Sequence, residues 1–291
     1  MIRTIFKRFK FHPRRWLLGL VSYSRFIGYI RPALGGGKGT DYRIWRKLLV
    51  TAWEPRELSF PVGKRILAIS PHSDDEAIGA GGILWAHRDV AEIHIALVTD
   101  GAAYGFMPQA GQTPEQARAE LIEQRKLELR MTAEALKAKS VTCLDLPDRG
   151  IVIDDASVAK LRAVLEKVRP DIVLLPWFLD NHPDHRAVNR LFAKACTDRS
   201  TLVLGYEIWA MLDPNAYFDI TAHIDAKLAL VRNYASQIQE VDYMTFAQGL
   251  AWTRGYQLIQ KQGRKAAEAF VALPAEDYCS LVEEVLQPAI L

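Results

Sequence analysis

The sequence predicts an α/β fold: a Rossmann-like, mostly parallel sheet with helices on both faces. From residue 64 onward, apolar runs alternate with segments of helical periodicity, and this order builds βαβ units and a parallel sheet. The runs "ILAI", "HIALV" and "DIVLLP" are apolar and β-branched, which is typical of strands buried on both faces. Two of the strands lead into stretches rich in His and Asp. Because ligands bind beyond the carboxyl ends of parallel strands, we expect the functional site at that edge of the sheet.

The predicted elements follow one another in regular order. The first strong strand, "KRILAIS", spans 64–70, and further strands are predicted at 92–98, 141–145 and 171–176. Each of these strands precedes a helix, and the four helices are predicted over 77–88, 114–138, 155–168 and 185–197. After a last strand in "TLVLGYEIW" the pattern becomes mostly helical. We therefore expect a domain over 61–291 with a helical C-terminal part, preceded by an N-terminal arm over 1–60 that includes a short helix around 42–52.

The N-terminal arm differs from the rest of the chain in charge. Residues 1–50 hold twelve Lys and Arg against one acid, Asp41, whereas the remaining residues hold 25 basic and 33 acidic side chains. The arm interleaves its basic residues with Phe, Trp and Tyr, and its longest charge-free stretch, 16–24, is far shorter than the roughly 20 apolar residues that cross a bilayer. We expect residues 1–35 to lie on an anionic membrane surface. The alternatives are packing onto the protein itself or a partner subunit, and nucleic acid, which we do not expect because no recognised binding motif accompanies the charge.

The spacing of the three cysteines indicates the cellular compartment of the protein. Cys143, Cys196 and Cys279 lie far apart, with neither the spacing of a zinc knuckle nor the even count of a disulfide framework. The arm contains no transmembrane helix and no clean signal-peptide pattern, because Arg25 and Arg31 interrupt its apolar stretch. We expect a cytoplasmic protein, peripheral at the membrane through its arm.

The first polar cluster crowds acids onto the end of a strand. In "AISPHSDDEAIGAGG", residues 68–82, the side chains of His72, Asp74, Asp75 and Glu76 follow the predicted strand 64–70 directly. An acid at the start of a helix caps it and interacts well with the helix dipole, but one acid is enough for that role. Three acids repel one another unless a positive charge lies among them, so the cluster predicts a cation site.

The second polar cluster, "PWFLDNHPDHRAV", places His182, Asp184 and His185 after the predicted strand 171–176. Taken alone, it is explained almost as well by a polar turn that Pro183 punctuates. Taken together, two strand ends that each present His and Asp predict a mixed nitrogen and oxygen site for a divalent metal, most naturally zinc.

These motifs carry a family resemblance. "PHSDDEAIGAGG" and "HPDH" resemble the two signatures of the LmbE/PIG-L-type N-acetylglucosaminyl deacetylases, although position 73, often Pro in that family, is Ser here. Supporting similarity runs from about residue 64 to 272 and includes "TDG" at 99–101, "EQRKLELRMTAEAL", "LPD" at 146–148 and "AKLALVRNYASQ". The resemblance implies a zinc-dependent hydrolase that removes the N-acetyl group from an amino sugar, giving a free amine and acetate.

Carried over by motif position, the resemblance implies roles for the clustered residues. The metal ligands are His72, Asp75 and His185. Asp74 is the general base, His182 is the acid or the electrostatic partner of an oxyanion, and Asp184 orients the His182 ring. The chemistry of the residues agrees with these roles, because zinc lowers the pKa of a bound water to about 7 and a free carboxylate within reach can take its proton.

Three further residues are candidates for substrate binding. Arg125 and Asp148 align by their surroundings with family positions that line the sugar site, and Tyr206, with Glu207 and Trp209, is a candidate wall of that site. The alternatives are a solvated helix charge for Arg125 and ordinary aromatic packing at a strand end for Tyr206.

Two other functions compete with a deacetylase. His and Asp clusters also build two-metal phosphoesterase centres, but such centres normally need more ligands than two compact motifs provide. A non-catalytic binding module on the same fold is the other alternative, and Asp74 and His182 count against it because a structural metal needs no spare base. We expect one divalent metal per chain and an N-acetylated amino-sugar substrate that is lipid- or nucleotide-linked.

Overall fold

The computed structural model describes residues 54–103, 108–259 and 262–286. All of these residues belong to one compact unit. The helix predicted around 42–52 and the membrane segment predicted over 1–35 lie outside the described residues. Among the helices within the described ranges, none is both long enough and apolar enough to cross a bilayer.

The described residues form one sheet of eight strands, and its order is β1-β7-β8-β6-β5-β2-β3-β4. The strands are β1 (Arg56–Glu57), β2 (Arg65–Ser70), β3 (Glu92–Thr99), β4 (Ser140–Leu146), β5 (Ile172–Pro176), β6 (Leu202–Tyr206), β7 (Ala216–Asp219) and β8 (Ala267–Pro274). The run β4-β3-β2-β5-β6 is parallel throughout, whereas β8 is antiparallel to both of its neighbours, β6 and β7. The predicted class, a mostly parallel α/β sheet, is confirmed.

The described part of the chain holds eight helices, six of which pack in two groups. They are α1 (Asp75–His87), α2 (Pro114–Ala135), α3 (Asp155–Val168), α4 (Pro183–Ala195), α5 (Ile224–Arg232), α6 (Ala235–Ile238), α7 (Tyr243–Leu258) and α8 (Ala275–Val285). Helices α1, α5 and α7 contact one another, and α3, α4 and α8 form the second group. Right-handed crossovers on the two sides of a strand-order reversal place such groups on opposite faces of the sheet.

Local sequence accounts for where several helices begin. Helix α2 starts with a capping box between Thr113 and Gln116, and α3 with one between Asp154 and Ser157. Each box satisfies N–H groups that the first turn of a helix leaves unpaired. The predicted strands and helices between residues 64 and 197 match the observed ones to within three residues at every end.

The predicted helical C-terminal part needs a correction, because β7 and β8 lie within it. Strand β8 has the sequence "AEAFVALP", and its first seven residues are buried. Its Ala and Glu residues are good helix formers, so its strand conformation comes from pairing with β6 and β7 rather than from local preference. The sheet also begins before the predicted boundary at residue 60, since β1 pairs with β7 and Leu58 is buried in the core.

The strand order reverses between β2 and β5. From β2 the chain adds β3 and β4 on one side, and it then returns to add β5 and β6 on the other. Such a reversal opens a crevice at the carboxyl ends of the two central strands, which is where ligands bind in open α/β sheets. The two His- and Asp-rich clusters follow these two strands.

Candidate metal centre

Adjacent strands bring the two clusters together. Ala68 of β2 is paired with Leu174 of β5, so the turns that follow these strands meet at the same edge of the sheet. The first turn leads into α1 at Asp75, and the second leads into α4 at Pro183. His182 is the N-cap of α4 and Pro183 takes the first helical position, where a missing N–H costs nothing.

The three predicted metal ligands meet at one carboxylate oxygen. Asp75 Oδ2 lies 3.2 Å from His72 Nδ1 and 3.3 Å from His185 Nε2. The rings of His72 and His185 have centroids 5.6 Å apart. The side chains of Asp75 and His185 are almost fully buried, and that of His72 is 15% exposed, so the cluster reaches solvent mainly through His72.

The donor atoms suit a divalent cation. Two sets of donor atoms within the described residues lie within 4.8 Å of one another: His72, His182 and His185, and His72, Asp148 and Asp184. Both ring nitrogens of His185 are buried without a hydrogen-bond partner, although carboxylate oxygens of Asp75 and Asp180 lie 3.3 Å away. Buried polar atoms are rarely left unpaired. Imidazole and carboxylate donors in this arrangement fit zinc and similar first-row ions.

Protonation of the cluster compensates its negative charge. Burial opposes the charged form of His185, but Asp75 and Asp180 outweigh it and raise the pKa of His185 to about 9. Burial likewise opposes a charge on His72, whose pKa is raised because its ring is bonded to Asp148, Asp184 and Asp75. Burial would raise the pKa of Asp75, yet His185 and His72 hold it well below its usual range. A bound metal would replace these protons, because ligands bind metal in their deprotonated form.

Asp74, the predicted base, lies beside these ligands in a strained conformation. It is the N-cap of α1 with φ 150° and ψ −28°, an angle pair that residues other than glycine rarely adopt. Strain of this kind concentrates at functional sites. Burial and the neighbouring Asp75 raise the pKa of the Asp74 carboxyl.

His182 and Asp184 make contacts that differ from the prediction. The backbone N–H of Asp184 donates to His182 Nδ1 at 3.2 Å, as befits an N-cap side chain. The Asp184 carboxylate instead lies 3.1 Å from His72 Nε2 and accepts from the Arg149 N–H at 2.8 Å. The prediction that the Asp184 carboxylate orients His182 is therefore wrong. Burial and the nearby His72 and His185 lower the pKa of His182 to about 4, which favours a neutral ring over a protonated one.

Asp148 and Arg125, the other two substrate-binding candidates, lie near the cluster. Asp148 Oδ1 lies 3.4 Å from His72 Nε2, and its other oxygen accepts from the Ala103 N–H at 2.9 Å. The Arg125 side chain packs over Gly101, where a Cβ atom would lie 2.8 Å from Nη1. Arg125 Nε is buried without a hydrogen-bond partner, and burial lowers the pKa of the guanidinium against the opposing effect of Asp74 and Asp148.

Tyr206 is a core residue, so its predicted role in substrate binding is wrong. The residue is fully buried, its ring packs on Gly79 of α1, and its hydroxyl donates to the Ile69 carbonyl at 3.2 Å. It ends β6, and its side chain is enclosed by α1 and the end of β2. Of the predicted wall, Glu207 is also buried and pairs with Arg254.

Two residues of the site were missed in the sequence. Asp180 stands in the second cluster, two residues before His182, and its acidic character was the available signal. Its Oδ1 accepts from the His182 N–H at 2.8 Å and lies 3.3 Å from His185 Nδ1, as in the carboxylate–histidine pairs that orient metal ligands. Tyr243 begins α7, far along the chain, and nothing in its neighbourhood indicated that the fold brings it near Asp74.

Comparisons with known proteins find relatives over the part of the chain that contains both clusters. The family model PIG-L, GlcNAc-PI de-N-acetylase, matches residues 67–196, a span that includes both clusters. The chain is 30% identical to diacetylchitobiose deacetylase of Thermococcus kodakarensis over 197 residues, which are 61% of this chain and 71% of the relative.

Two solved structures show the same fold. The N,N'-diacetylchitobiose deacetylase of Pyrococcus horikoshii matches with a TM-score of 0.62 at 23% identity, over 83% of this chain and 92% of that chain. GalB, the 4-carboxy-2-hydroxymuconate hydratase of Pseudomonas putida, matches with a TM-score of 0.60 at 23% identity, over 72% and 96%. Likeness at this identity concerns the fold, and the fold accommodates more than one chemistry. The family model, the curated relative and the meeting of both clusters at the β2 and β5 ends together place this chain in the PIG-L family.

Proposed function

We propose that the chain is a zinc-dependent hydrolase that removes the N-acetyl group from an amino sugar and gives a free amine and acetate. The observation that carries this proposal is the meeting of the two clusters, with Asp75 Oδ2 within 3.3 Å of both His72 and His185. The name of the Thermococcus relative, a diacetylchitobiose deacetylase, supports the reaction class.

His72, Asp75 and His185 would hold the metal, and the unpaired ring nitrogens of His185 support this assignment. When bound, zinc supplies a Lewis acid that acidifies water and polarises a carbonyl. The remaining steps belong to the side chains of the protein.

Asp74 takes the proton of the attacking water. The new carbon–oxygen bond forms at the acetamide carbonyl, the carbon–nitrogen bond breaks, and the Asp74 carboxyl returns the proton to the departing nitrogen. The products are therefore an amine and acetate, with no other reactant than water. The position of Asp74 at the strained start of α1, next to a ligand and held out of solvent, supports this role.

His182 donates a hydrogen bond to the carbonyl oxygen. Because its Nδ1 accepts from the Asp184 N–H, a neutral ring carries its proton on Nε2. An Nε2–H group can stabilise the negative charge that develops on that oxygen without the ring being protonated. One such donor is typically worth about 2.7–4 kcal/mol.

Arg125 and Asp148 line the mouth of the site, and we assign them to the hydroxyl groups of the sugar. Asp148 has acceptor oxygens at the cluster, and the buried Arg125 Nε lacks a partner within the described residues. A ring that carries its acetamide at the cluster would place its hydroxyls against these two side chains.

Acetate release tests the proposed function. Purified, zinc-loaded protein is assayed against a panel of N-acetylated sugars, with Asp74→Asn as the matched variant. We expect acetate from the wild type, and a rate lowered about 100- to 10,000-fold in Asp74→Asn with its metal retained, because the variant loses only its base. If the metal-loaded wild type releases no acetate from any sugar of the panel, the proposal is overturned. If the protein binds two metals per chain and releases phosphate from phosphoesters, it is a phosphoesterase instead.

The charge of residues 1–35 supports a lipid- or nucleotide-linked sugar as the substrate, because a basic arm would hold the enzyme at an anionic surface where such substrates lie. Sedimentation with vesicles that contain an anionic lipid tests this part. The full chain should bind and a chain lacking residues 1–35 should not; equal binding by both would remove the support.

A further inference from the structure

The loop after β6 exposes a large aromatic side chain next to the metal centre. Trp209 has 42% of its surface accessible to solvent, although large apolar side chains are usually buried further. Its ring is nevertheless fixed, because it stacks on Phe246 with centroids 5.9 Å and planes 29° apart. It also meets the Tyr243 ring edge-on at 5.9 Å. Phe246 and Tyr243 lie three residues apart in α7, on one helix face.

Two independent links tie Trp209 to the metal centre. The first is the backbone: the N–H groups of Trp209 and Ala210 donate to Asp180 Oδ2 at 2.9 Å and 3.3 Å. The other oxygen of Asp180 accepts from the His182 N–H and lies beside His185. One carboxylate therefore fixes the position of the aromatic loop relative to a predicted metal ligand.

The second link is Tyr243, whose ring contacts Trp209 edge-on and whose hydroxyl interacts electrostatically with the carboxylates of Asp74 and Asp75. Burial raises the pKa of the Tyr243 hydroxyl, and Asp74 and Asp75 raise it further, so the hydroxyl lies within electrostatic reach of both acids. The arrangement is a rigid aromatic surface at the rim of a polar site, a common design of ligand pockets.

We propose that Trp209 is a stacking platform for a second pyranose ring, the one joined to the acetylated sugar whose acetamide lies at the metal centre. This inference rests on the proposed function and deepens it, because it assigns the substrate to glycosides of two or more rings. A pyranose ring presents an apolar C–H face that packs on an indole, while its hydroxyls stay at the polar rim. Phe246 and Tyr243 hold the indole in place, so little conformational entropy is lost when the sugar binds.

Kinetics with one-ring and two-ring substrates test the platform. Acetate release from N-acetylglucosamine and from N,N'-diacetylchitobiose is measured for the wild type, Trp209→Ala and Trp209→Phe. Tyr256→Ala is the matched control, since Tyr256 is an exposed aromatic residue, 74% accessible, of α7. Circular dichroism and metal content verify that each variant is folded and loaded.

We expect Trp209→Ala to lower kcat/KM for the two-ring substrate about tenfold, mainly through KM, and to lower it clearly less for the one-ring substrate. Trp209→Phe should recover part of the loss, and Tyr256→Ala should match the wild type. An unchanged two-ring rate, or equal losses on both substrates, would overturn the inference.

A binding measurement separates this inference from the proposed function. If the wild type releases no acetate at all, calorimetric titration of the metal-loaded proteins with the two-ring sugar still decides the matter. Binding that weakens about tenfold in Trp209→Ala would support the platform without the reaction. Absence of binding to the wild type, or equal binding by both proteins, would overturn the platform as well.

Discussion

The carboxylate of Asp180 connects the candidate metal centre to the loop that carries Trp209. It accepts backbone N–H groups of His182, Trp209 and Ala210, and it lies 3.3 Å from His185 Nδ1. The first three contacts fix loop geometry. In the proposed metal site, the fourth would favour a proton on Nδ1 of His185 and so leave Nε2 free to bind the metal. A residue outside the recognised motifs thus sets the orientation of one inside them.

Asp180→Asn should weaken metal binding about 10- to 100-fold, the usual effect of losing such a partner. The amide can still accept the backbone hydrogen bonds, so the fold should be kept while the charge beside His185 is lost. Chelator competition measures the affinity. Asp198→Asn, at an exposed aspartate whose carboxylate accepts hydrogen bonds from Ser200 in its own turn, is the control and should bind metal as the wild type does. Equal affinities in all three proteins would show that Asp180 does not orient the ligand.

Tyr206→Phe should affect stability and leave KM unchanged. The substitution removes the hydrogen bond to the Ile69 carbonyl and leaves that buried group without this donor, which costs about 1 kcal/mol of unfolding free energy. Urea unfolding and acetate-release kinetics on one preparation measure both quantities. A raised KM at unchanged stability would restore the role in substrate binding that the sequence suggested.

Helix α1 is held in place at its glycines as well as at its strained start. A Cβ atom at Gly79 would lie 2.1 Å from the Tyr206 ring, and one at Gly82 would lie 2.4 Å from Ile220. At Gly81 the nearest atom would be 3.4 Å away, an ordinary contact. Two of the three glycines of "GAGG" therefore let α1 approach the sheet and the C-terminal part closely.

Gly79→Ala should destabilise the protein by roughly 1–3 kcal/mol, because the methyl group has no space against the buried tyrosine. Gly81→Ala, two positions along the same helix, should be neutral or stabilising by up to about 1 kcal/mol, since Ala restricts the unfolded chain and favours a helix. The stabilities of the two variants are compared by their urea unfolding midpoints, provided that the slopes of the unfolding curves are equal. Similar losses in both would mean that helix position, and not the contact with Tyr206, decides the effect.

The elements that could be predicted are those whose own pattern determines them. Strands β2 to β6 and the helices between them alternate in a regular order, and their apolar runs are long enough to be recognised. Strand β8 could not be predicted, since Ala267, Glu268 and Ala269 favour a helix locally and only the partners β6 and β7 make them a strand. In the candidate site, the residues of the two motifs lie close together, and Asp180 could have been chosen by its acidic character beside them. Tyr243 could not, because only contacts across the fold bring it near Asp74.

A buried ion pair connects α1 to the C-terminal part of the molecule. Lys227 Nζ lies 2.5 Å from Glu268 Oε1 and donates to the Ile78 carbonyl at 2.6 Å. Glu268 in turn accepts from the Gly82 and Ile83 N–H groups at 2.7 Å and 2.8 Å. The helix that begins at the metal centre is therefore anchored by residues from α5 and β8.

Lys227→Met should cost roughly 3–5 kcal/mol of unfolding free energy, because it leaves the Glu268 charge buried without its partner. The double variant Lys227→Met/Glu268→Gln should recover part of that loss, since the buried charge is removed while an acceptor for α1 remains. Lys64→Met removes a partly exposed partner of Asp171 and should cost less than about 1 kcal/mol. Chemical denaturation of the four proteins measures these free energies of unfolding. A double variant less stable than Lys227→Met would contradict the role of the ion pair.

If the turns after β2 and β5 form one metal site, the purified protein should hold a metal ion that depends on both turns. Elemental analysis is made on wild type and His185→Ala, both prepared with zinc in excess and freed of loosely bound ions, with Asp198→Asn as the control. We expect one ion per chain in the wild type and the control, and loss of the ion in His185→Ala. No ion in the wild type, or a full complement in His185→Ala, would contradict it.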